Sequence, residues 1–87
     1  MQQNIIVYFS DSDPYGYPFT EPCYLDAYFD FMKKIERKGA KLFFARGKKS
    51  YLGSGRFIKT WQFDANKNFL PISSIIESNL IFNRQRG

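Results

Sequence analysis

Apolar and polar positions change their spacing along this chain in a strand, helix, strand order. Ile5, Ile6, Val7 and Phe9 form an apolar run without clean alternation, the pattern of a strand buried on both faces. Asp11 to Pro18 gathers Asp, Ser, Pro and Gly into a turn-rich loop. From Glu21 to Lys38 the spacing is helical: Leu25, Tyr28, Met32 and Ile35 mark a buried stripe, with Phe29 and Phe31 flanking it. Thr20 suits the N-cap, Glu21 and Pro22 the first turn, and Gly39 the left-handed position that ends a helix. Asp26, Asp30, Lys33, Lys34 and Arg37 fall on the wetter side, where Asp30 and Lys34 stand in favourable i, i+4 spacing. Leu42-Phe-Phe-Ala45 then predicts a second strand, closing a right-handed parallel βαβ unit.

Beyond Ala45 the pattern turns to short pieces. Ser50 to Leu52 and Arg56 to Phe63, separated by Gly53-Ser-Gly55, predict a partly exposed hairpin. Its second arm alternates with Phe57, Lys59, Trp61 and Phe63 on one face. Asp64 to Asn68 is a turn, and Phe69-Leu-Pro71 a short extended piece whose proline excludes a central strand. Ile72 to Glu77 is expected to form a helical turn capped by Ser73 or Ser74, and Asn79 to Asn83 a final strand. The expected fold is α/β: a small Rossmann-like domain of two or three layers, with a parallel βαβ core plus a β-hairpin. With 87 residues it is a single domain, residues 1–87.

Composition narrows the chemistry. Ten Phe, six Tyr and one Trp supply the apolar area that a short chain needs for a core. The net charge of +5 gathers in Lys33 to Lys41 and Arg46 to Lys49, which suits anionic partners or a solvated helix end. With one cysteine and no histidine, a Cys/His zinc site, a Ser-His-Asp triad and an internal disulfide all fail for lack of residues. Cys23 lacks a histidine base and reads as a small packed residue. There is no apolar run of spanning length and no leader-like N-terminus, so the expected place is the cytoplasm, away from membranes.

Glycine patterns give no phosphate cradle. Gly47-Lys-Lys-Ser50 ends like a P-loop, yet position 42 is Leu where that motif needs glycine. Gly53-Ser-Gly55 lacks the third glycine of a dinucleotide fingerprint, since position 58 is Ile. Asp11 and Asp13 suit a metal or a substrate amine, and equally suit ordinary turn-making. Cations and rings interleave in Arg56 to Phe63, a weak base-stacking pattern without the aromatic motif of an RNA-recognition module.

The order of elements resembles the N-terminal, pre-ATP-grasp domain of glutathione-synthetase-like ATP-grasp ligases. The residues that carry the resemblance are Phe9-Ser-Asp-Ser-Asp13, the Phe19 to Tyr28 helix start, Arg37 to Phe44, Ser50 to Arg56, and Ile76 to Arg84. It spans nearly the whole chain through layout and short phrases. It implies an N-terminal part of a longer protein, non-catalytic alone, on the substrate side of an ATP-dependent carboxylate–amine ligase. ATP and magnesium belong to that parent enzyme, and no cofactor is held by this chain. Downstream ATP-grasp domains, in the same or a partner chain, would be its partners, and a homodimer through an apolar face is a further option. Asp11, Ser12, Asp13 and Arg84 would face the small-molecule acceptor, the acids holding an ammonium group and Arg84 a carboxylate. The alternative is a stand-alone basic module for an anionic partner; nucleic acid is the less expected one.

Overall fold

In the computed structural model, which describes residues 3–9 and 22–84, the two apolar runs of the opening half lie side by side. Strand β1 (Gln3–Phe9) pairs in parallel with β2 (Ala40–Arg46), Ile5 opposite Leu42 and Val7 opposite Phe44. Between them in sequence runs helix α1 (Pro22–Glu36), which buries Phe29, Met32 and Ile35 and half-buries Leu25, Tyr28 and Phe31. Gly39, at φ 85°, takes the left-handed conformation that lets the chain leave the helix and enter β2.

Strand β3 (Tyr51–Gly53), β4 (Arg56–Phe57), β5 (Thr60–Phe63), β6 (Phe69–Ile72), β7 (Ile76–Glu77) and β8 (Leu80–Arg84) complete the fold. The main sheet has the order β6-β5-β2-β1-β8. Its β2-β1-β8 trio is parallel, while β5 and β6 add antiparallel strands. A small sheet of order β3-β4-β7 forms a separate strand ladder. Among the described residues the protein is thus α/β, with a mixed sheet and one α-helix.

Two cores explain why β1 does not alternate. Ile5, Val7, Phe9, Leu42, Phe44 and Phe63 meet the α1 stripe on one face. Ile6, Phe43 and Ala45 meet Phe57 on the other, with Ile76 of the small sheet packed alongside. Covered on both sides, β1 and β2 have no polar face to show. Phe44, fully buried, is ringed edge-on by Tyr28, Phe63 and Phe69 at centroid distances of 5.5, 5.0 and 5.8 Å.

Two expectations are corrected. The second hairpin arm is not one strand: it breaks at Ile58-Lys59, where Lys59 adopts φ 58°. The break carries Thr60–Phe63 from the small sheet into the main one, and puts Phe57 and Phe63 into different cores. Residues 72–77 form no helical turn. Ile76–Glu77 pairs with β4 instead, Ile76 opposite Phe57 and Glu77 opposite Arg56. An isolated turn of helix nucleates poorly, whereas this pairing buries an apolar contact and sets opposite charges across the strands.

Pro71 lies in β6, at the sheet edge, where its missing N–H leaves no broken ladder. The Asp64–Asn68 turn joins β5 to β6, and Lys67 from it reaches Asp26 on α1 at 2.6 Å. Both partners are exposed, so the pair adds little stability. No helix among the described residues is long and apolar enough to cross a membrane.

Candidate functional site at the carboxyl edge of the parallel strands

Parallel pairing brings the carboxyl ends of β2, β1 and β8 to one edge. The register sets Phe9 opposite Arg46 on one side and opposite Arg84 on the other. Two arginine positions therefore flank the end of the central strand. Arg46 is half-buried, and its guanidinium carbon lies 5.9 Å from the centre of the Phe9 ring, a cation–aromatic contact that supports its stem.

The chain turns sharply after Arg46. Gly47, at φ 88°, donates its N–H to the Phe9 carbonyl at 2.8 Å, prolonging the β1–β2 ladder by one bond. Lys48–Ser50 then forms a single 3-10 turn with both lysines exposed. Ser50 is buried; its Oγ lies 2.6 Å from the Gly47 carbonyl and 3.3 Å from that of Arg46. That hydroxyl is engaged in closing the turn, so Gly47-Lys-Lys-Ser50 is a structural turn and holds no phosphate cradle.

On the face away from α1, Tyr8 stands next to Asn83 in register. Its ring packs on Tyr51 and Phe57 at 6.2 and 5.3 Å, and those two rings are 5.0 Å apart. Burial, with a smaller contribution from Tyr51, holds the Tyr8 phenol above its ordinary value, so it stays a neutral hydrogen-bond donor at physiological pH.

Of the residues expected at the site, Asp11, Ser12 and Asp13 lie outside the described residues. Arg84 is placed by its backbone at the carboxyl edge, level with Phe9. Arg46 joins it there, unannounced by any motif, while the Tyr8 ring lies on the opposite face of the sheet. The position of Arg46 follows from register: a parallel strand entered four residues after a helix ends brings its last residue level with the end of the first. The two basic clusters also separate. Lys33 and Lys34 occupy the last turn of α1 and Lys41 lies opposite Asn4, at the amino end of the sheet, whereas Arg46, Lys48 and Lys49 lie at the carboxyl end.

The paired rings of the expected base-stacking strand are not on the surface: Phe57 and Phe63 are both buried. No protein-family model, curated protein or solved structure matches the chain.

Proposed function

We propose that this chain is the substrate-side domain of an ATP-dependent carboxylate–amine ligase, non-catalytic alone, which grips an anionic group of the acceptor at the carboxyl edge of β2, β1 and β8. The observation that supports this most is the flanking of Phe9 by Arg46 and Arg84. Open parallel sheets bind ligands beyond the carboxyl ends of their strands, beside the strand where chain connections diverge. Here β1 leads through α1 to β2 on one side and has β8 on the other. A guanidinium presents a planar fork of donors that matches a carboxylate in two parallel hydrogen bonds. The cation–aromatic contact with Phe9 keeps Arg46 at the strand end.

The nucleotide is assigned elsewhere. Ser50 is turned into its own turn. The order of elements, which resembles that of the pre-ATP-grasp domain, is what supports ligase chemistry for the parent protein.

The test has two parts. Amide shifts of the labelled protein are followed while glutamate, succinate and inorganic phosphate are added at low salt. The reading expects Phe9, Arg46, Gly47 and Arg84 to move together and saturably with the carboxylates; unmoved amides there reject the site. Reading the coding sequence around this chain tests the ligase part, which fails if no ATP-grasp domain accompanies it in frame or as a neighbouring gene. Oligonucleotide added at low salt separates the basic-module alternative, which requires salt-sensitive binding centred on Lys48 and Lys49.

A further inference from the structure

The outer edge of β8 differs from the other end of the sheet. At that other end β6 carries Pro71, which lacks an N–H to offer a further strand. Strand β8 has no such guard. It has no neighbour on its outer side among the described residues, and Leu80 and Phe82 are 48% and 42% exposed. Both belong to the α1 side of the sheet, since they lie level with Ile5 and Val7. Beside them is an apolar hollow of about 240 Å³ lined by Val7, Tyr28, Phe31 and Phe82.

The direction of the edge groups follows from β1. The Phe9 carbonyl accepts from Gly47 beyond β2, while the Asn4 carbonyl accepts from Asn79 beside β8. Odd residues of β1 therefore bond towards β2 and even ones towards β8. In register, Leu80 and Phe82 bond inward, and Ile81 and Asn83 keep their N–H and C=O groups on the open side.

We infer that β8 pairs antiparallel with β8 of a second copy of this chain, with the two-fold axis at Ile81. The segment Asn79-Leu-Ile-Phe-Asn83 is self-complementary about that residue. Asn79 then faces Asn83 of the other copy, Ile81 faces Ile81, and Leu80 faces Phe82 in the closely spaced, non-hydrogen-bonded position. Each Leu80–Phe82 pair extends the apolar hollow beside Phe31. Side-chain matching selects this register. It leaves residues 79–83 uncharged and separates the two Arg84 positions by six residues, about 20 Å along the strand, beyond the ~8 Å screening length at physiological salt. A shift of the axis to Phe82 sets Leu80 against Arg84 instead. One strand pair with four flanking side chains falls short of the ~1,200 Å² at which stable interfaces begin, so the dimer is weak and concentration-dependent.

Sedimentation equilibrium and amide exchange on this chain test it, from about 10 µM to about 1 mM, the range of weak association. The mass rises from 10.3 kDa towards two copies, and Ile81 and Asn83 amides become protected as concentration increases. Asn83→Pro removes an outward N–H at an edge position that tolerates proline; it abolishes the dimer with an unchanged circular dichroism spectrum. Phe82→Lys is the second variant and does the same should the proline variant unfold. A monomer at the highest concentration overturns the inference. So does a dimer that survives both variants or leaves those two amides unprotected.

Discussion

Asn4 and Asn79 hold each other across the start of the main sheet: the Asn4 N–H donates to Asn79 Oδ1 at 2.7 Å, and the Asn79 N–H donates to the Asn4 carbonyl at 2.8 Å. The Asn4 side-chain amide also donates to the Glu77 carbonyl at 3.0 Å. One residue of β1 thereby fixes where β8 begins and ties β7 of the small sheet to the main one. Asn79→Ala removes the acceptor for the Asn4 N–H and lowers stability by about 1 kcal/mol. In a domain of this size that is a fall of roughly 4–8 °C in Tm. Asn79→Asp keeps the acceptor for the Asn4 N–H and recovers most of that stability. Thermal unfolding checks both, and an unchanged Tm for Asn79→Ala refutes the lock.

Lys59 and Thr60 sit where the chain changes sheets. Thr60 is fully buried, and its hydroxyl finds no hydrogen-bond partner among the described residues. A buried hydroxyl left unpaired carries its desolvation cost without return. Thr60→Val, which keeps the shape, is expected to stabilise the fold by about 1 kcal/mol, read as a higher urea midpoint at unchanged slope. Lys59→Val forces a β-branched residue to φ 58° and costs about 1 kcal/mol or more, whereas Lys59→Gly does not. A stabilising Lys59→Val result removes this account of the break.

The opening βαβ unit was legible because it depends on periodicity: a double-faced strand, a helical stripe and Gly39 each carry their pattern locally. Pro71 likewise marked an edge, since proline cannot serve a central strand. The sheet change was not legible. A lysine at positive φ has no compositional mark, so Arg56 to Phe63 read as one alternating arm. Strand β7 was hidden for a different reason, since two residues become a strand only through pairing with Arg56 and Phe57. Arg46 was visible only as charge; register, a tertiary property, sets it beside Phe9. The loop acids Asp11 and Asp13, singled out by their residue type, lie outside the described residues.

Asp64 gives the fold an acid-sensitive turn. Its carboxylate accepts N–H bonds from Asn68 at 2.9 Å and Asn66 at 2.8 Å, and these bonds, that of Asn68 foremost, hold its pKa below the ordinary 3.8. The unfolded chain therefore takes up a proton first as pH falls. The contribution is fully present above the ordinary value and disappears as pH drops through the folded one. Asp64→Asn keeps an acceptor but cannot titrate. Its stability profile is expected to be flatter than the parent's below pH 3.8 and parallel to it near neutrality; identical acid limbs contradict the role.

The position of cations on the sheet, more than their number, decides which of them meets a ligand. Lys41 and Arg46 stand on the same strand, five residues apart, which is about 17 Å at the rise of a parallel strand. That exceeds the screening length of ~8 Å at physiological salt, so a ligand held at one end scarcely senses the other. Arg46→Ala is expected to weaken carboxylate binding by about tenfold, the lower end for a hydrogen bond to a charged group. Arg46→Lys keeps the charge but loses the planar fork, and recovers only part of the affinity. Lys41→Ala leaves the dissociation constant within about twofold at physiological salt, in keeping with that screening. Titration of the three variants, followed by the amide shifts of Phe9 and Gly47, separates a built site from diffuse attraction. Equal losses for Lys41→Ala and Arg46→Ala show that net charge alone attracts the anion, and the carboxyl-edge site is then abandoned.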